Sequence, residues 1–315
     1  MRPAAVVALL AVLVGSAAMA APSGLQDPEA TLVEELVVRA ATPGPAWWKV
    51  KKGEAVVYVL GLPDGPIAKG LHWDQAALQG RLTGAGALIV PVQPKAGLGD
   101  IPAFLRMRSR LKSKTPMEQG LPEPLRTRFA AARLRLGKPA SRYAGWDPIL
   151  AGQILVEDLH DRAQTTAKEP LGTIRRLAGR AHVPVQPAAS FRVVDLLTPA
   201  IRNLTPETSR ACLAEALDEV DAGAGALAAS GAAWARGDVS GELAGPRRFA
   251  TCLLLLQGGV AFWRQTIAEE ADAVQAALGK PGHAVAAFPI RSLVAADGVL
   301  ARLKAEGFSV SGGEG

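Results

Sequence analysis

Histidine and cysteine are scarce in this chain, with four and two among 315 residues. His72, His160, His182 and His283 include no pair at metal-ligand spacing, and no His-Glu-x-x-His occurs. That excludes helix-borne zinc hydrolase motifs. The absence of Gly-x-Ser-x-Gly excludes a nucleophile elbow. Gly84-Ala85-Gly86 precedes an apolar run rather than following one, so it is no phosphate loop. Aromatic residues make up 5% of the chain, and none forms a stacking platform among the basic residues, which argues against nucleic acid as a partner. Past the N-terminus no apolar run approaches the roughly 18 residues of a spanning helix. No transmembrane segment is therefore expected in the mature chain.

What is present begins with Met1-Arg2-Pro3, an apolar run from Ala4 to Val14, and Ala18-Met19-Ala20. This order reads as a secretory signal peptide over residues 1–20, and predicts a periplasmic or secreted protein. Residues 21–44 read as an extension ending at Pro43-Gly44-Pro45, with an edge strand or short helix in Leu32–Val38. Residues 45–315 read as the main domain. The formal charge is +6 and hydrophobic residues make up 49%, ordinary for a globular protein. Cys212 and Cys252 are expected to form a disulfide in an oxidising compartment, and a bridge over that span is worth about 4 kcal/mol by loop entropy. The alternative is two buried thiols on separate helices.

The elements fit an α/β protein, with a mixed sheet, flanking helices and a helical middle. Trp47–Leu60 reads as a hairpin, Ala87–Val90 as a buried strand, and 284–288 and 308–310 as late strands. Helices are expected over 73–82, 101–111, 124–136, 148–164 and 171–181, with a strand at 182–186. Thr205-Pro206-Glu207 opens a further helix, and Gly223 and Gly225 are expected to interrupt it. The stripe Val260, Trp263, Ile267, Val274 and Leu278 marks another, with Glu269 and Glu270 off the stripe. Asp297 is expected to cap a last helix over 298–306. The run Val156 to Asp161 is expected to be a solvated acidic face.

Trp48-Lys49-Val50, Tyr58 to Gly61, Lys69-Gly70-Leu71, Ala233 to Asp238 and Asp297-Gly298-Val299 resemble the TraB/GumN family, whose Tiki branch contains metal-dependent proteases. The resemblance implies a mixed sheet with packed helices and a Gly-x-x-His loop after a strand near each end of the domain. Here those loops read Gly61-Leu62-Pro63-Asp64 and Pro289-Ile290-Arg291-Ser292. Asp64, Pro91 and Ser292 stand where the resemblance implies His, Glu and His.

Only Gly61 carries over cleanly, and one carboxylate is not a metal site. Gly61, Asp64, Gln93, Arg291 and Ser292 are the candidate cleft residues, gathered at strand ends where α/β proteins bind ligands. The expectation is a degenerate hydrolase with no cofactor, acting as a binding or accessory protein toward a peptide, protein or envelope component. Two alternatives stand beside it. One is a hydrolase rebuilt around Asp64, Ser292 or Arg291, with a divalent metal. The other is a basic scaffold using Arg106, Arg108, Arg110 and Lys112.

Overall fold

A computed structural model describes residues 27–40, 43–166 and 169–312. The signal peptide read in residues 1–20 lies outside the described residues. In chain order the elements begin with strands β1 (Trp47–Lys52), β2 (Ala55–Leu62) and β3 (Ile67–Ala68), helix α1 (Ala76–Leu82), and strands β4 (Leu88–Val90) and β5 (Gln93–Lys95). Helices α2 (Ile101–Arg110), α3 (Glu123–Arg135) and α4 (Pro148–Arg162) follow, then β6 (Thr165–Thr166) and α5 (Glu169–Arg180). Strands β7 (Val185–Pro187) and β8 (Ser190–Arg192) lead to α6 (Val193–Arg202), α7 (Pro206–Ala235), α8 (Val239–Leu243), α9 (Arg248–Leu254) and α10 (Gly259–Leu278). The chain closes with β9 (His283–Pro289), α11 (Ile290–Val294), α12 (Val299–Ala305) and β10 (Ser309–Gly312).

The six-stranded sheet runs β10-β1-β2-β9-β4-β7. The β1 strand is antiparallel to β10 and β2, whereas β2, β9, β4 and β7 are parallel. Alternation along β1 and β2 sends Trp48, Val50, Val57 and Val59 to one face and Trp47, Leu60 and Leu62 to the other. Trp263, Ile267 and Val274 of α10 and Leu300 and Leu303 of α12 cover the first face. Leu78 and Leu82 of α1 and Ile174 and Leu177 of α5 cover the second. The β9 strand is buried on both faces, which is why it reads as an unbroken apolar run.

The middle forms its own helical layer. Phe129, Tyr143, Leu155, Leu213 and Leu217 pack together from α3, α4 and α7 and the chain between α3 and α4. A Cys212–Cys252 disulfide joins α7 to α9, with Cα atoms 5.5 Å apart. Gly223 interrupts α7 at φ 77°, a backbone state that disfavours any side chain.

Three expectations need correction. The acidic run in α4 is solvated only in part: Glu157 and Asp161 are exposed, but Asp158 is fully buried, 2.7 Å from Arg142 Nε, 2.7 Å from the Tyr143 hydroxyl and 3.0 Å from Lys138 Nζ. Those cations and hydrogen bonds hold its carboxyl below the usual value against the opposing effect of burial. His160 is half-buried in the same helix, and burial lowers its pKa. Glu270, expected off the apolar stripe, falls on it between Ile267 and Val274 and is buried, and burial pushes it up to about 8. At the last helix Gly298, not Asp297, occupies the N-cap, and no side chain caps it.

Candidate functional site

The loops after β2 and β9 meet because these strands are adjacent and parallel in the sheet, with β4 parallel on the far side of β9. The register sets Gly61 opposite Phe288 and Leu62 opposite Pro289, so the Asp64 and Arg291 loops leave the sheet side by side. Gly61 has a packing reason of its own. A Cβ there would lie 2.5 Å from Ile290 Cγ1 and 3.0 Å from the Trp48 ring. Its carbonyl accepts the Trp234 indole N–H at 2.8 Å.

Beyond Gly61 the expected cleft is closed by ion pairs. Arg291 Nε donates to Asp64 Oδ2 at 2.9 Å, and its Nη2 donates to the Leu243 carbonyl at 2.8 Å. A second guanidinium, Arg247, lies with Nε 3.8 Å from the same Asp64 oxygen. Glu242 Oε1 accepts the Asp64 backbone N–H at 2.6 Å.

The segment before β1 completes the cluster. Glu29 is buried; it pairs with Arg247, accepts the Trp263 indole N–H at 2.7 Å, and receives the Ser292 hydroxyl at 3.4 Å. Asp27 Oδ2 lies 3.3 Å from Arg247 Nη1. The segment is held in place by backbone bonds from Val33 N–H to the Val294 carbonyl and from Ala296 N–H to the Thr31 carbonyl, both 2.8 Å. The space left between the Asp64 loop, Glu242 and Arg247 is about 20 Å³, close to one water's worth.

The electrostatics follow from burial. Burial and the adjoining Asp64 carboxylate push Glu242 up to about 8. It therefore holds a proton at neutral pH, and its second oxygen has no hydrogen-bond partner. Burial disfavours the charge on Arg247, but Asp64, Glu29 and Asp27 outweigh it and raise its pKa. The cluster thus packs Asp64, Glu29 and Asp27 around Arg247 and Arg291, with Glu242 beside them.

Of the sequence candidates, Asp64, Arg291 and Ser292 come together, while Gln93 does not join them. Its amide donates to the Pro91 carbonyl at 2.9 Å and its oxygen accepts from Arg175 at 3.2 Å. Sequence reasoning missed Asp27, Glu29, Glu242 and Arg247. The one local hint was position just after Ala233–Asp238, in the segment that carries both Glu242 and Arg247.

The donor set does not fit a catalytic metal. The Asp64 carboxylate is already engaged by Arg291 and Arg247, and a single carboxylate so engaged does not make a metal site. Among the described residues no group of three or more His, Cys, Asp or Glu is arranged to hold a metal ion.

A mixed sheet whose parallel strands from opposite ends of the chain bring a Gly-started loop beside a second strand-end loop defines a specific α/β class. The model of the TraB/PrgY/gumN family matches residues 46–312, and the chain belongs to that family. No curated protein and no solved structure matches it.

Proposed function

We propose that this is an exported member of the family in which the hydrolytic cleft has become a structural ionic lock, and that the protein works by binding. Its partner would be a peptide, protein or envelope component, and its role accessory rather than catalytic. The observation that carries this reading is the Arg291–Asp64 pair, with Arg247 and Glu29 packed against it. A hydrolase needs an open coordination position or a nucleophile beside an unblocked base. Here Ser292 faces Glu29, and each strand-end group that could act is already bound to another part of the chain. The apolar N-terminal run and the disulfide are consistent with export.

The test is metal content by mass spectrometry after incubation with zinc, manganese and cobalt, followed by a peptide-hydrolysis assay. No stoichiometric metal and no hydrolysis are expected. One metal per chain together with hydrolysis that Asp64→Ala abolishes would overturn the reading.

A further inference from the structure

The α2 helix is laid on the surface in an unusual way. Met107 is its one buried residue. On the outward side, Ile101 is 50% exposed and Leu105 is 61% exposed, one helical turn apart, and Leu98 just ahead of the helix is 87% exposed. Three of the six large exposed apolar residues among those described therefore fall within one short stretch. Scattered apolar residues are normal on a surface, whereas a contiguous set marks an interaction site.

Basic side chains border this stripe on both sides. Arg108 lies on one flank, its guanidinium 5.7 Å from the Trp146 ring centre. Arg106 lies on the other flank; with Arg110, further round the helix, it lines a groove of about 310 Å³ shared with Arg202 of α6. None of these four arginines has a carboxylate partner among the described residues. Asp100 at the start of α2 and Asp195 of α6 are paired with Arg192.

We infer that α2 docks on an anionic lipid surface. Leu98, Ile101 and Leu105 would enter the headgroup–acyl boundary, while Arg106, Arg110 and Arg202 would gather lipid phosphates in the groove beside them. The commitment to lipid rests on charge complementarity combined with the apolar stripe. A soluble anion explains the arginines but leaves the exposed leucines and isoleucine without a reason. A helix with apolar side chains flanked by cations is the form that lies in a membrane interface. The inference concerns a surface remote in role from the ionic lock and does not depend on it.

The experiment is co-sedimentation of the whole chain with vesicles of phosphatidylethanolamine containing about one-quarter phosphatidylglycerol, against pure phosphatidylcholine vesicles. Two variants accompany it: Leu98→Ser/Ile101→Ser/Leu105→Ser, and Arg106→Gln/Arg110→Gln/Arg202→Gln. Every changed side chain is at least partly exposed, and circular dichroism checks that both variants fold. The chain is expected to bind the anionic vesicles alone. The arginine variant should bind about a hundredfold more weakly, from roughly a fivefold loss per cation, and the serine variant about tenfold or more. Failure of the unchanged chain to bind anionic vesicles would overturn the inference. So would a serine variant that binds as well as the unchanged chain, or binding that millimolar inorganic phosphate abolishes, since either would make the groove a site for a soluble anion.

Discussion

Glu242→Gln isolates the electrostatic state of the closed cleft. In the fold Glu242 titrates near 8, pushed up by burial and by Asp64, against an ordinary value of 4.5. Between those values the folded chain keeps a proton that the unfolded chain releases. Stability must then fall as pH rises through that window and level off above 8. Each unit is worth about 1.36 kcal/mol, so from pH 5 to pH 7.5 the loss from this one group is about 3 kcal/mol. Glu270 and Glu219, also raised by burial, act in the same direction. His160, lowered by burial, acts oppositely below its ordinary 6.5. Asp158 and Asp221 are held below 3.8, so their contributions are lost only in stronger acid. Glutamine keeps an oxygen to accept the Asp64 N–H but carries no titratable proton. Urea unfolding midpoints measured from pH 5 to pH 8 should show the variant with a slope shallower by about 1 kcal/mol per pH unit. The quantity read is the slope, since the amide changes absolute stability at every pH. Superimposable slopes would refute the argument, and would mean that Arg247 and Arg291 keep Glu242 ionised in the fold.

Other outcomes follow from the same packing. Arg291→Ala strands Asp64 and the Leu243 carbonyl, and should cost about 3–5 kcal/mol in chemical unfolding. The double variant Arg291→Met/Asp64→Asn should recover part of that loss, whereas a single-variant cost below about 1 kcal/mol would remove the lock from the account. Gly61→Ala places a methyl group against Ile290 and Trp48, and a cost of about 1–3 kcal/mol is expected from the shift in thermal midpoint. Cys212→Ser/Cys252→Ser should lower stability by about 4 kcal/mol, read against the unchanged chain with and without reductant.

The parts legible in the sequence were those set by local chemistry. Thr205 caps α7 through the Thr208 N–H at 3.2 Å, as the Thr-Pro-Glu order indicates. The β9 strand is recognisable because a central parallel strand has no polar face. Asp297 misled because Gly298, beside it, has the extended backbone of an N-cap and takes the role. Asp158 and Glu270 were misplaced for a different reason. Periodicity treats every charged residue as outward-facing, but Asp158 is compensated by Lys138 and Arg142, and Glu270 is free to hold a proton. Glu29 was illegible because its partners Trp263 and Arg247 are more than 200 residues away along the chain. No local pattern reports a contact over such a distance.

The order of strands in the sheet carries a consequence for how the protein comes into being. The β1–β2 hairpin is made well before its neighbours on both sides, β10 and β9, which lie much later in the chain. Until they arrive, Trp48 and Val59 have no finished face to pack against, so the sheet cannot nucleate from one end and grow. Long-range pairing of this kind is slow and leaves strand edges open while it waits. The contacts of Glu29 with Arg247 and Trp263 and of Asp64 with Arg291 likewise join distant parts of the chain, so the ion-pair cluster can close only once those parts have come together.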